Sequence, residues 1–268
     1  MRIIIALLCG LCSFIAFSET ITNRTILSTE ERTKQEKKNM QILAEMGLPL
    51  PGSGIKIVPR SSLMISEKRL KQAQADREEI AKQGYISKYT LVPKELLHMK
   101  TQAKKELKLF KANQHNPQYM GLSPSVNDLK LAFKFKGIKE RRGIKASGIN
   151  NDITLLGAAI QGGFHEDKGG WSGAGQFFEV KGLGTCDYSV MNVKASNTAA
   201  RLAEEDVTYY VNKKPTINLV EGNPESGFLY NVHWYDDQNF HVLSCASMTY
   251  SADTNIKVID LAVKLDHN

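Results

Sequence analysis

The stretch FLYNVHWYDDQNFHVLSCA, Phe228 to Ala246, has the pattern of a β-hairpin. Two runs rich in aromatic and β-branched residues, 228–235 and 240–246, flank the tetrapeptide DDQN, whose polar residues are typical of a turn. Pairing Trp234 with His241 places the large apolar side chains of both runs on one face. The sequence therefore predicts an antiparallel pair in this register, with the protein core on one side of it.

The same register has a consequence for the cysteine and the histidines of the hairpin. It pairs Tyr230 with Cys245 and so buries this cysteine among aromatic side chains. It also places His233 on the face opposite His241, which disfavours a metal site made by the two histidines.

The rest of the C-terminal half continues this texture of short apolar or alternating runs separated by turn residues. Such runs predict further strands at 153–160, 176–180, 188–193, 207–211, 216–220 and 256–263. The segment Asn197 to Asp206, NTAARLAEED, predicts one short helix among them. We therefore expect an α+β protein in which a basic helical arm precedes a mainly antiparallel β domain with one short helix and one disulfide.

The N-terminus has the pattern of an export signal. Arg2 precedes the apolar run IIIALLCGLCSFIAF, and the small residues Ala16 and Ser18 fit a cleavage site before Glu19. An uncleaved anchor is the alternative, but this run is shorter than the roughly 20 residues that a membrane-spanning helix needs. We predict cleavage after Ser18 and a periplasmic or secreted mature protein.

Export determines how the cysteines are interpreted. Two of the four cysteines lie in the signal and would be removed with it, which leaves Cys186 and Cys245. A single pair in an exported chain predicts a disulfide. A nucleophilic or redox role for Cys186 is the alternative, and the absence of a CxxC pattern from the sequence disfavours it.

Charge divides the mature chain into two unlike parts. Residues 19–150 contain 26 basic and 13 acidic side chains, a net charge of +13, whereas residues 151–268 contain 8 and 15, a net charge of −7. The segment KGIKERRGIKAS, 136–147, combines basic residues with glycines and is typical of an exposed linker. We predict a signal peptide at 1–18, a basic helical region at 19–135, a linker at 136–150 and an acidic strand-rich domain at 151–268.

The basic region predicts several helices. Capping residues indicate helices at 28–46 and 66–83, and a shorter helix is expected at 126–135. The clearest helix begins near Pro93, where apolar residues recur at steps of three and four: Leu96, Met99, Ala103, Leu107 and Phe110. Lysines lie on its other faces: Lys100, Lys104, Lys105, Lys108 and Lys111. We expect the stripe to pack on a neighbouring helix; binding to an anionic membrane surface or an acidic partner is the alternative.

A glycine-rich segment, 157–175, contains further candidate residues. It lacks the GK[ST] ending of a phosphate loop, and neither GxSxG nor HExxH occurs in the chain. His165 and Glu166 are candidates for a general base or metal ligand, and Trp171 for a platform that contacts a partner or a sugar. The alternative that we favour is a flexible, turn-rich connection with ordinary polar residues, and we expect neither a cofactor nor a metal.

These observations leave three classes of function. We expect a non-catalytic exported protein of the bacterial periplasm, an accessory or adaptor that contacts other envelope proteins in an assembly such as a secretion system. An exported hydrolase of envelope polymers is the second class, and it requires His165, Glu166, Asp236 and Asp237 to converge in one cleft. A secreted factor acting on host cells or membranes through its basic helices is the third class, and it requires an exposed Leu96 to Phe110 face. The export signal and the few aromatics among the basic residues argue against nucleic-acid binding.

Overall fold

The structure, a computed structural model, describes residues 54–63, 65–113, 121–138, 153–196 and 198–266. The predicted signal peptide at 1–18, the predicted helix at 28–46 and most of the predicted linker at 136–150 lie outside these residues. The strands are β1 Gly54–Val58, β2 Ile86–Ser87, β3 Ile153–His165, β4 Gly170–Val180, β5 Gly184–Asn192, β6 Ala199–Ala203, β7 Tyr209–Val211, β8 Lys214–Asn223, β9 Gly227–Tyr235 and β10 Asn239–Ser247. The helices are α1 Glu67–Gln83, α2 Val92–Asn113 and α3 Ala252–Asp266.

One large sheet organises the described residues. Its eight strands follow the order β2-β8-β9-β10-β5-β4-β3, with β7 also paired to β8. Every pair in this sheet is antiparallel except the short β2–β8 pair. Strands β1 and β6 form a separate parallel pair. The mixed helix and sheet fold, dominated by an antiparallel β domain, confirms the predicted fold class.

The hairpin has the predicted register. Trp234 lies opposite His241, and Tyr230 lies opposite Cys245. On its other side, β10 places Cys245 directly opposite Cys186 of β5, and the two form a disulfide with both residues fully buried. The predicted disulfide is therefore confirmed as a link between two central neighbouring strands.

Each face of the sheet packs against one helix. The face with the disulfide also carries Tyr188 and Trp234, and it packs against Val258 and Leu261 of α3. On the opposite face, Phe177 and Leu229 belong to a second apolar cluster with residues of α2. Burial of apolar surface on both faces fixes the sheet between the two helices.

Helix α3 corrects the prediction of a strand at 256–263. Its buried residues, Val258, Leu261, Ala262 and Leu265, recur at steps of three, one and three. That spacing places them on one face of a helix, whereas Ile256 is 58% exposed. The β-branched content of the segment suggested a strand, but burial follows the helical period.

The predicted helix at 197–206 is also wrong. Residues Ala199–Ala203 form β6 and pair in parallel register with Gly54–Val58, and Glu204–Asp206 form a single 3₁₀ turn. The backbone amide of Arg60 donates to the carboxylate of Glu205, and its guanidinium bonds Asp206. Pairing with a remote segment therefore overrides the helical propensity of the alanines.

The helices of the basic region are partly as predicted. Helix α1 begins after Ser66 and ends at Gly84, which takes the left-handed conformation with φ of 86°. The expected helix at 126–135 is wrong, because only Val126–Asp128 form a 3₁₀ turn. Ser125 caps this turn: its hydroxyl accepts from the amide of Asn127, and its own amide donates to the Asp128 carboxylate. The chain after the turn leads to Phe135, which is buried in the core beside Tyr188.

The stripe of α2 packs on the sheet and not on a neighbouring helix. Leu96, Met99 and Ala103 are buried in the cluster that contains Phe177 and Leu229. Residues before 136 thus contribute to a core of the strand-rich part. The division of the chain into domains at 136–150 stays a prediction.

Candidate functional site

The four residues proposed for a hydrolase lie in two different turns. Asp236 and Asp237 connect β9 to β10, whereas His165 and Glu166 lie at the end of β3, where the chain turns into β4. Strand β5 separates β10 from β4 in the sheet, so the two hairpins are about 10 Å apart at two strand spacings of about 4.8 Å. Asp236 contacts a further titratable side chain that the hydrolase hypothesis did not include.

That side chain is His241, which lies between Asp236 and Tyr188. Its Nε2 is 2.9 Å from Asp236 Oδ2, and its Nδ1 is 3.0 Å from the Tyr188 hydroxyl. We assign the proton to Nε2, because the Asp236 carboxylate can only accept a hydrogen bond, and the Tyr188 hydroxyl then donates to Nδ1. The ring is also stacked on Trp234, with 5.0 Å between the ring centroids.

Burial and hydrogen bonding together shift the pKa values of His241 and Asp236. Burial lowers the pKa of His241, although its hydrogen bond to Asp236 opposes the shift. Burial raises the pKa of Asp236, but hydrogen bonds from His241 and from the turn outweigh it and hold this pKa far below its usual range. The Asp236 carboxylate also accepts the backbone amides of Gln238 and Asn239 at 2.8 and 2.7 Å. Asp236 thus stabilises the turn of the hairpin.

The tip of the β3–β4 hairpin is tied to neighbouring segments. The ammonium of Lys168 donates to the carbonyls of Lys194 and Ala195 at 2.8 and 3.0 Å. Trp171 is half-buried, with its ring edge-on to Phe164 at 5.5 Å between centroids. The expectation of a flexible, turn-rich connection is wrong for this segment, because most of it belongs to the paired strands β3 and β4 and its tip is held by these contacts.

Backbone contacts add to this order. The Trp171 amide donates to the carbonyl of Lys130, and its carbonyl accepts from the amide of Ala132. The approach is so close that a Cβ at Gly170 would lie 2.5 Å from the carbonyl carbon of Leu131. The glycine at this position is therefore needed for packing of the two segments.

The lysines of α2 form the largest group of candidate residues that the fold leaves accessible. Lys100 makes an ion pair with Glu179 of β4, with 2.9 Å between Nζ and Oε2. Four further lysines are exposed along the following turns, and we call them the cationic face of α2: Lys104, Lys105, Lys108 and Lys111. Because α2 is anchored on the sheet through its apolar stripe, these lysines project from a fixed helix.

Comparison with protein-family models, with curated proteins and with solved structures gives no match for this chain. Within the described ranges, no three His, Cys, Asp or Glu side chains come together as a metal-binding group. No helix in the part of the chain that the structure describes has the length and apolar character to cross a membrane.

Asp187 is a candidate that the sequence did not reveal. It is fully buried on the α2 side of the sheet, and burial raises its pKa to about 7 against the lowering effect of a hydrogen bond from Ser189. In the run CDYSVMN, strand alternation places Asp187 on the face of the sheet that does not carry Cys186. A charged residue on that face is expected to contact solvent, because an antiparallel sheet commonly has one face in the core and one in water. The covering of that face by α2 cannot be derived from the run itself.

Proposed function

We propose that the protein is a non-catalytic, exported accessory or adaptor of an envelope assembly such as a secretion system, and that the cationic face of α2 contacts an acidic partner protein. The observation that carries this proposal is the orientation of α2. Its apolar stripe is used within the chain, so its exposed lysines are available for another molecule. Complementary charge favours rapid and selective association of proteins.

The structure also bears on the two alternative functions, membrane binding and hydrolysis. Insertion of α2 into a membrane surface requires an exposed Leu96 to Phe110 face, but Leu96, Met99 and Ala103 are buried against the sheet. The hydrolase hypothesis requires Asp236 and His165 in one cleft, and they lie in turns on different sides of β5. A protein partner is compatible with both observations.

The disulfide supports the location of this function. A fully buried disulfide between central strands is typical of proteins that fold in an oxidising compartment. The apolar run that precedes Glu19 supports export by the same route. Localisation in the periplasm or outside the cell is part of the proposal.

The test is an affinity capture from cross-linked cells with two matched variants. The first variant replaces the cationic face of α2 by glutamine: Lys104→Gln, Lys105→Gln, Lys108→Gln and Lys111→Gln. The control makes the same change on α1, where all four positions are exposed: Lys68→Gln, Arg69→Gln, Lys71→Gln and Lys82→Gln. Glutamine keeps helical propensity and removes the charge.

We expect the wild type and the α1 control to recover the same envelope proteins, and the α2 variant to lose them. The capture should also weaken as salt is raised, because exposed charges are screened. Equal recovery by the α2 variant would refute a role for these lysines. A monomer that captures no partner would refute the adaptor proposal as a whole.

A further inference from the structure

Strands β1 and β6 form a two-stranded parallel sheet apart from the large sheet. Parallel strands occur mostly in sheets that are covered on both faces, and an isolated pair of strands is only marginally stable. β6 is the inner strand of the pair, because its Leu202 and Ala203 are 2% and 4% exposed. β1 is the outer strand, and its Ile57 is 44% exposed. The edge of β1 is therefore the place where this small sheet can be extended.

The backbone of β1 has two residues that can pair on this edge. The amide of Gly54 donates to the carbonyl of Thr198, so the hydrogen-bonding groups of Gly54 face β6. Such groups alternate sides along a strand, and Ile55 and Ile57 therefore direct their amides and carbonyls away from β6. Within the described residues, no strand or loop bonds the backbone of β1 on that side. Four unpaired backbone groups in a row are a template for another strand.

The side chains of β1 determine which kind of strand fits. Ile55 and Ile57 lie on one face of the pair, and Lys56 lies on the other. Lys56 is exposed and lies directly opposite Arg201 of β6, so two cationic side chains are neighbours on that face. No acidic side chain in the described ranges lies within ion-pair distance of Lys56. Like charges on neighbouring strands destabilise a sheet, and an opposite charge on a third strand would stabilise it.

We propose that β1 binds an extended segment of a partner protein as a third, antiparallel strand, and that this segment carries an acidic residue between two β-branched apolar residues. The apolar residues lie opposite Ile55 and Ile57 and exchange backbone hydrogen bonds with them. The acidic residue then lies opposite Lys56 in a pair without backbone hydrogen bonds, where side chains of antiparallel strands approach most closely. This edge is independent of the cationic face of α2, so either proposal can fail without the other.

A second copy of the chain is a poorer occupant of this edge. Antiparallel pairing of β1 with the same strand of another copy overlaps the whole strand when Lys56 is at its centre. The two Lys56 side chains then lie directly opposite each other, and like charges in that position are destabilising. Charge therefore favours a partner with a different sequence.

The probe is the blocked pentapeptide acetyl-TVEVT-amide, and the control, acetyl-TVKVT-amide, reverses only the central charge. Titration of the isotope-labelled mature protein, followed by NMR of its backbone amides, should show saturable binding of TVEVT. Binding of TVKVT should be about fivefold weaker or more. The amide signals of Ile55 and Ile57 should shift most, because new hydrogen bonds form there. The amide of Lys56 faces β6 and should shift less.

Two variants locate the site. Ile57→Pro removes an amide that faces away from β6 and places the proline ring on the edge, so binding of TVEVT should fall about tenfold or more while β1 stays paired. Lys56→Glu should reverse the preference, so that TVKVT binds more tightly than TVEVT, and it decides the case if Ile57→Pro does not fold. Lys68→Glu makes the same charge change at an exposed position of α1 and should keep the wild-type preference.

Three results would overturn the proposal: no saturable binding of TVEVT, equal affinity of both peptides for the wild type, or unchanged binding by a folded Ile57→Pro variant. A wild-type dimer that Ile57→Pro converts to a monomer would assign the edge to a second copy and overturn it as well.

Discussion

Replacing Asp187 by asparagine should stabilise the protein above pH 7 and remove a pH dependence of its stability. The unfolded carboxyl has an ordinary pKa of 3.8, and burial raises the folded value to about 7. Between these two pH values the unfolded chain is ionised at Asp187 while the folded chain keeps the proton. Stability therefore falls as the pH rises through this interval, and the loss is complete above about pH 7.

The magnitude follows from the shift of the pKa. A difference of about 3 pH units at about 1.4 kcal/mol each corresponds to about 4 kcal/mol. Asparagine has nearly the same shape and does not titrate, so its burial cost does not change with pH. The gain in unfolding free energy of Asp187→Asn over the wild type should rise by about 4 kcal/mol between pH 4 and pH 8.

Urea unfolding of both proteins across this pH range, followed by the fluorescence of Trp171 and Trp234, measures the difference directly. Other groups that titrate in this range, His233 and His241 among them, are present in both proteins and cancel in the comparison. Parallel stability curves for the wild type and Asp187→Asn would refute the burial of an unpaired carboxyl at this position.

Four further predictions concern other parts of the molecule. Replacing Cys186 and Cys245 by alanine should lower the unfolding free energy by about 4 kcal/mol through the loop they close, and a reductant should then have no effect on the urea midpoint. Asp266→Ala should cost about 2 kcal/mol or more, because an indole, an ammonium and an amide lose their shared acceptor, and an unchanged urea midpoint would contradict this. Burial lowers the pKa of His233 to about 4, so the unfolded chain takes up a proton at this residue below pH 6.5 while the folded chain does not. The unfolding free energy therefore falls as the pH falls from 6.5 towards 4. His233→Gln should flatten that part of the curve of stability against pH. N-terminal sequencing of the mature protein should begin at Glu19, and a start at the initiator methionine would contradict export.

The prediction of the candidate site from sequence was partial for a physical reason. The turn sequence identifies Asp236 as a candidate residue. Its role depends on a hydrogen bond to His241, which in turn bonds Tyr188 of another strand, and the pattern of a single strand does not show such contacts. Asp187 was missed because a charged residue in an alternating strand indicates a solvent-facing position. Its burial arises only when α2 packs on that face of the sheet.

The sequence by itself determined the features that depend on near neighbours. Alternation along two adjacent runs set the register of Trp234 against His241, and steps of three and four set the buried stripe of α2. The pairing of Cys186 with Cys245 followed from the predicted removal of the other cysteines.

The tertiary structure decided the features in which distant segments compete with local propensity. Ala199–Ala203 became a strand because Gly54–Val58 supply a hydrogen-bonding partner about 145 residues earlier in the chain, a contact that helical propensity does not register. Residues 256–263 form a helix because helical spacing places Val258, Leu261 and Ala262 together, where they are buried against the disulfide face of the sheet. In both cases, strand pairing and burial between distant segments stabilise the observed secondary structure. This stabilisation exceeds the few tenths of a kcal/mol per residue by which helix and strand propensities differ.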